Sequence, residues 1–319
     1  MVAYYTKVMI VYGPVPSRRL GKSLGINHVP PKTCSYSCVY CQLGRTDNMI
    51  CERRHFYDPE LVAALVKKKV KATKEDIDFI TFVPDGEPTL DINLGKEINA
   101  VKGLGFKTAV ICNASLLWME DVRSDLMDAD WVSLKVDAVN VDTWRRVDRP
   151  HGKLDHRAVL EGVHDFASMY GGTLSTETML IKGLNDREEP KDVAAFLKQI
   201  NPDISYVAIP TRPPAEDWVE PADEEAINGA YQVFSSVLRN VEYLIGYEGN
   251  AFASTGDFEE DLVSITAVHP MREDGVKDLL RRDDSSWEEV ERLILEDKVV
   301  ELNYMDKKFY MRRISSRSK

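Results

Sequence analysis

At 319 residues the chain exceeds the size at which one hydrophobic core usually stops growing, so a large domain and a smaller one are expected. With 44% hydrophobic and 29% charged residues it has the make-up of an ordinary globular protein, and no run approaches the ~20 apolar residues of a bilayer span, which speaks against a membrane protein. The net charge of −11 speaks against a broad grip on nucleic acid, because neutralising phosphates requires outward-facing Lys and Arg.

The opening run "MVAYYTKVMIVYG" has no basic leader or small-residue cleavage site and reads as structure, so a cytoplasmic protein is expected. Residues 1–55 nonetheless carry eight Lys/Arg against two Asp/Glu. That local excess, which includes Arg18, Arg19, Lys32, Arg45 and Arg53, reads either as a solvated face or as compensation for an anionic centre. "GPVPSRRLGKSLG" lacks the G-x4-G-K-[ST] spacing of a triphosphate loop and opens no helix. Ser17, Arg18 and Arg19 are left either to bind a substrate phosphate or to brace the loop that follows.

From there short β-rich runs alternate with amphipathic segments, the pattern of βα units and a parallel sheet. "SLGINHV" is the strand entering the cysteine-bearing loop, then "PELVAALVKKKVK" a helix, "IDFITFV" a strand, "INLGKEINAVKGLG" a helix and "FKTAVIC" a strand. "DADWVSLKVDA" is the next strand, "LDHRAVLEGVHDFASMYGG" a helix, "TLSTETMLI" a strand, "EPKDVAAFLKQI" a helix, "ISYVAIP" a strand, "DEEAINGAYQVFSSVL" a helix and "VEYLIG" a last strand. About six or seven such repeats suit an open or partial barrel, whose site is built at the C-terminal strand ends. "NAFASTGDF" reads as a linker, dividing the chain into residues 1–252 and 253–319. Beyond it come three short helices and a hairpin turning near Met305 to Lys308, the outline of a winged helix, with Trp287, Val290, Leu293 and Ile294 as the buried stripe of the third helix. Glu288, Glu289, Glu291, Glu296 and Asp297 on that helix would repel phosphates, which favours docking or capping over DNA binding.

The chemistry concentrates in "CSYSCVYC", where three of the five cysteines, Cys34, Cys38 and Cys41, fall within eight residues. An odd, clustered set fits a metal or redox site better than a disulfide framework. Three thiolates serve three irons of a [4Fe-4S] cube and leave the fourth iron to an outside ligand; the competing reading is zinc completed by His28, Cys51 or His55. Cys51 and Cys112 read as inert, although Cys112 ends a barrel strand. Ser133, Lys135 and Asp137 alternate on the face of their strand opposite Val132, Leu134 and Val136, which predicts an inward polar set, with Lys135 and Asp137 free to pair as ions. Arg212 stands between prolines, where it would clamp an anion or simply lie exposed.

With these residues in view the chain resembles the radical S-adenosylmethionine (SAM) enzymes, whose motif is C-x3-C-x2-C with an aromatic, here Tyr40, before the last cysteine. "YGPVPSRRLGKSLGIN", the cysteine loop and "DGEPTL" together look like the group related to wyosine-tRNA-synthesis proteins. The resemblance implies an α/β fold, a partial (β/α)6 TIM-like barrel with a small C-terminal winged-helix-like α+β domain. It implies a [4Fe-4S] cluster and SAM as cofactors, an external electron donor of flavodoxin or ferredoxin type, and reductive cleavage of SAM to a 5′-deoxyadenosyl radical. By the same resemblance Cys34, Cys38 and Cys41 are the metal ligands, and Tyr40, Gly86, Glu87, Asn113, Ser133 and Glu177 the SAM-side residues. Lys135 and Arg212 would act on a substrate that is an RNA base, a protein or a small molecule. Asp85 stands where the family's first glycine would be, and the cysteines for a second cluster are absent. A metal-sensing winged-helix regulator and an activase working on a protein partner are the alternatives.

Overall fold

The structure, a computed structural model, describes residues 10–73, 75–246, 249–250, 252 and 254–313. It opens on an antiparallel hairpin, β1 (Val11–Ser17) and β2 (Gly21–Ile26). β1 falls on residues in which Gly13, Pro14 and Pro16 break the period-two pattern; a register shift between Tyr12 and Val15 absorbs the first two. Proline is tolerated there because β1 is the edge of the sheet.

β3 (Thr33–Cys34) and β4 (Asn48–Met49) pair in parallel and bracket the cysteine loop. The barrel then runs α1 (Pro59–Ala72), β5 (Phe79–Phe82), a 3-10 turn at Pro88–Leu90, α2 (Leu94–Lys102), β6 (Lys107–Cys112), α3 (Glu120–Leu126) and β7 (Trp131–Lys135). It continues through α4 (Val141–Val147), α5 (His156–Met169), β8 (Thr173–Met179), α6 (Glu189–Ile200), β9 (Ile204–Ala208), α7 (Glu224–Ser235) and β10 (Val241–Leu244). The sheet order is β1-β2-β5-β6-β7-β8-β9-β10, parallel from β2 onward, so six strand-helix units and a closing strand form an open, partial barrel. Asp58, Asn140, Asp155 and Asp223 cap helix N-termini with their side chains, each worth ~1 kcal/mol.

Alternation along the strands sorts the two faces. Leu24, Ile26, Ile80, Phe82, Val132 and Leu134 join the core beneath the helices with Val62, Val66, Ile98 and Val101. The opposite face of β7 carries Trp131, Ser133 and Lys135 toward the barrel interior. Small hydroxyls satisfy one another in buried strand positions, as Ser23 does with Thr81 at 2.6 Å and Thr176 with Ser205 at 3.0 Å.

The C-terminal module consists of α8 (Phe258–Val268), β11 (Met271–Arg272), α9 (Glu273–Arg282), α10 (Trp287–Leu295), β12 (Val299–Tyr304) and β13 (Lys307–Arg312), with sheet order β11-β13-β12. The hairpin turns at Met305 and Asp306, both at positive φ (49° and 58°), the geometry of a two-residue primed turn. Val290 and Leu293 are buried, with Trp287 and Ile294 packed against the same core. That core also takes in Tyr12 and Val15 of β1 and Phe252, so the edge strand of the barrel belongs to both bodies. Arg292 of α10 binds Glu289 on its own helix, Glu296 at the helix end and Glu259 of α8. Arg317 and Lys319, part of the basic C-terminal run, lie outside the described residues. No described helix is long and apolar enough to cross a membrane.

Gly25 shows how tightly β1 is fixed. A Cβ there would lie 2.0 Å from the ring of Tyr12, whose hydroxyl donates to the Val83 carbonyl at 3.1 Å. Gly25→Ala is expected to push that ring into the module's core and cost about 1–3 kcal/mol, read from the urea midpoint; an unchanged midpoint would show that the ring yields freely.

Candidate active site

The cysteine loop is clamped by backbone hydrogen bonds on two sides. On one, Lys32 N donates to Asp85 O at 2.6 Å and Glu87 N to Thr33 O at 3.1 Å. On the other, Ser37 N donates to Asp148 O at 3.0 Å and Val39 N to Val147 O at 2.9 Å, while Tyr36 bridges Pro150. Trp144 packs edge-on against the Tyr36 ring and donates its indole N–H to the hydroxyl at 3.0 Å. So held, Cys34, Cys38 and Cys41 line one cavity of about 280 Å³ at the C-terminal strand ends, together with Tyr40, Gly86, Glu87, Asn113, Lys135, Glu177 and Arg212.

Gly86 is required by that clamp, since a Cβ would stand 2.0 Å from the Thr33 carbonyl. The Glu87 carboxylate is spent on its own turn and on β6: it accepts from Thr89 N at 3.0 Å, Thr89 Oγ1 at 2.6 Å and Asn113 N at 2.8 Å, tying the ends of β5 and β6. Burial pushes this carboxyl up to about 7 against those donors. Asp85, buried by the same loop, exchanges two hydrogen bonds with Asn27, and burial raises it to about 7 as well. The side chain of Asn113 donates to Ser35 Oγ at 2.9 Å and toward Cys34 Sγ at 3.6 Å, an N–H contact of the kind that tunes a metal-bound thiolate.

The far wall is electrostatic. Lys135 and Glu177 are register partners on β7 and β8, with Nζ 2.5 Å from Oε1, and Arg19 from the β1–β2 turn binds the other oxygen of Glu177. Burial alone would raise Glu177, but Lys135 and Arg19 outweigh it and hold the carboxyl at about 2. Burial likewise lowers Lys135, yet Glu177 and Asp137 more than restore it, so the side chain is an ammonium standing 4.8 Å over the Tyr40 ring. Lys135 therefore pairs with Glu177 rather than Asp137. Asp137 accepts from the Tyr40 hydroxyl and from Met179 N. Its neighbour Asp148 accepts from the Cys38 thiol at 3.4 Å, and burial, then repulsion by Asp137, keeps the Asp148 carboxyl well above the usual range.

Two expected site residues sit differently from the rest. Ser133 is buried two positions deeper than Lys135, roughly 6–7 Å down the strand, and is not among the residues lining the cavity. Arg212 is held at the mouth by Gln42 at 2.7 Å and by His269 of the module at 3.1 Å, while Tyr304 donates to Pro210 O at 3.0 Å. It is neither a loose loop arginine nor an isolated clamp. The N-terminal basic residues are largely consumed in pairs with distant acids, Arg19 with Glu177, Lys32 with Asp47, Arg45 with Glu216 and Arg53 with Asp121 and Asp125. Asp148 escaped sequence reasoning because it belongs to no motif and meets Cys38 only through the fold.

Glu177→Gln is expected to leave two partly buried cations facing a neutral group and to cost about 2–4 kcal/mol near neutral pH. Because Glu177 is held below its ordinary 4.5, its contribution is complete above that value and fades as pH falls through about 2. Denaturant unfolding of both proteins should give a constant gap above pH 4.5 that narrows below it; a gap independent of pH would contradict the pairing.

The donor set fits a soft metal centre. Three thiols share a site in which burial raises all of them, so a metal would supply the missing positive charge. The candidate fourth ligands for zinc, His28, Cys51 and His55, are not among the residues lining the cysteine cavity. The profile of the Radical SAM superfamily matches residues 29–197. A UPF0026 protein of Methanocaldococcus jannaschii is 46% identical over 314 residues, 97% of this chain and 98% of the relative. Among solved structures, TYW1 with a lysine-pyruvate adduct bound is similar at TM-score 0.51 and 15% identity over 68% of this chain and 74% of that one. SuiB of Streptococcus suis bound to S-adenosylmethionine is similar at TM-score 0.52 and 14% identity, over 68% and 49%. These two likenesses concern the fold. The family match, spanning more than half the chain, makes the protein an enzyme of that class: it belongs to the radical SAM superfamily.

Proposed function

We propose that Cys34, Cys38 and Cys41 bind a [4Fe-4S] cluster whose remaining iron takes the amino and carboxylate groups of SAM, and that the enzyme abstracts hydrogen from a substrate at the barrel mouth. The observation that carries this reading is the convergence of the three thiols, Gly86 and Asn113 on one cavity at the C-terminal strand ends. When bound, the cluster supplies an electron, from a flavodoxin- or ferredoxin-type donor, for cleaving the sulfonium of SAM. The chain's own residues do the rest. Gly86 exposes backbone beside the loop, Asn113 steadies Cys34, and Tyr40 with Lys135 and Glu177 forms the polar wall toward which the ribose would lie. Lys135, kept protonated, serves as a fixed charge and not as an amine nucleophile. Arg212 offers an anion contact at the rim. Ser133, below the cavity floor, supports the strand.

The division at residue 252, the winged-helix character of the module and a cytoplasmic location belong to the same proposal. His269 and Tyr304, reaching the 210–212 loop, support a capping role for the module. The likeness to wyosine-tRNA proteins makes a tRNA base the first substrate class to test, ahead of a protein partner or a small metabolite.

The test is anaerobic reconstitution with iron and sulfide, then dithionite and SAM. 5′-Deoxyadenosine should form, fall to background in Cys38→Ala, and drop by about tenfold in Asn113→Ala. No cleavage, together with tight DNA binding, would instead favour a metal-sensing regulator. Nucleoside digests of tRNA from a deletion strain then decide the substrate class: an unmodified base supports RNA, and an unchanged profile moves the search to proteins and metabolites.

A further inference from the structure

Away from the cavity, three buried side chains face one another with ligand atoms that no hydrogen bond satisfies. His28 follows β2, Asp91 closes the Pro88–Leu90 turn and Glu97 lies in the first turn of α2; each is 0% exposed. One nitrogen or carboxylate oxygen from each falls within 4.8 Å of the others, and no other such set of three occurs among the described residues. His28 Nδ1, Asp91 Oδ2 and both carboxylate oxygens of Glu97 are without a hydrogen-bond partner.

Buried polar atoms are normally satisfied, and an imidazole with two carboxyl groups sharing a dry site is costly unless something pairs with them. The surrounding contacts leave the ligand atoms bare in a consistent way. His28 Nε2 lies 3.2 Å from the Pro88 carbonyl, so its proton is committed there and the Nδ1 lone pair is available. Asp91 Oδ1 accepts from Asn93 N at 2.8 Å, leaving Oδ2. Arg53, a nearby cation, is directed at the Asp91 carbonyl and at Asp121 and Asp125 instead of the Asp91 carboxylate.

We infer that His28, Asp91 and Glu97 bind a divalent transition-metal ion, zinc before others, in a structural site separate from the three-cysteine centre. One imidazole and two carboxylates balance the charge of the ion and match its preference for mixed nitrogen and oxygen donors. Calcium and magnesium would call for about six oxygens, which a three-residue set with an imidazole does not offer. Full burial makes the role structural. The ion ties the end of β2, the turn after Gly86 and Glu87, and α2 together, bracing from behind the segment whose backbone clamps the cysteine loop.

Metal content and zinc-edge X-ray absorption are measured on the full chain and on its C34A/C38A/C41A variant after exposure to Zn²⁺. About one zinc per chain is expected to persist in the cysteine variant, with a shell of N and O near 2.0–2.1 Å and no sulfur. Glu97→Gln and Asp91→Asn should lower zinc affinity by about tenfold or more, and a chelator should lower the unfolding midpoint of the wild type but not of Glu97→Gln. A sulfur shell near 2.3 Å would overturn the inference, as would a cysteine variant with native circular dichroism that takes up no Zn²⁺, Mn²⁺, Fe²⁺ or Co²⁺. If the cysteine variant does not fold, the zinc-edge spectrum of wild type whose thiols have first been loaded with iron and sulfide decides. A Glu97→Gln protein more stable than the zinc-exposed wild type would mark a buried acid pair and nothing more.

Discussion

The placement of three thiols depends on a two-sided backbone clamp. The Asp85–Glu87 segment grips one arm of the cysteine loop and the Val147–Pro150 segment grips the other. Backbone bonds of this kind fix where a side chain starts without constraining what it is, so the loop can carry soft ligands with no need for them to pack. The clamp also explains why Gly86 has to be glycine: the Thr33 carbonyl occupies the place of its Cβ. Burial then does the electrostatic work: it raises all three thiols, with Cys41 alone eased by Lys135 and Lys32, so a metal would compensate the thiolates.

Opposite the thiols, charge is organised by register. Lys135 and Glu177 meet because they are cross-strand partners, and Arg19 joins them because the β1–β2 turn folds over the barrel mouth. The same hairpin supplies Tyr12 and Val15 to the core of the C-terminal module. One N-terminal element thus serves the polar wall and the module's attachment at once. With Arg212 held between Gln42 and His269, the module touches a residue of the cavity's rim.

Much of this was legible in the sequence where local pattern decides the outcome. The helix "EPKDVAAFLKQI" has the bounds Glu189–Ile200 that its proline start and apolar spacing predict, and the hairpin turns where Met305 and Asp306 break the alternation. The cysteine spacing and "DGEPTL" converge on one cavity because both sit at strand ends, a position set by the βα repeat. What was illegible depends on long-range contact. β1 is masked by its prolines, and its role in the module's core connects residues more than 200 positions apart. The partner of Lys135 depended on register between strands, which alternation within one strand cannot supply. Asp148 reaches Cys38 through a segment with no motif of its own, and the depth of Ser133 depends on where the cavity floor lies.

The central claim is that this chain leaves one iron without a protein ligand so that SAM can chelate it. Electron-nuclear double resonance of the reduced, reconstituted enzyme, with SAM labelled by ¹⁵N at the amino group and ¹³C at the carboxylate, tests that claim directly. Hyperfine coupling from both labels is the predicted result. An unperturbed cluster signal, or a centre that proves to be coordinated by four side chains, would contradict it.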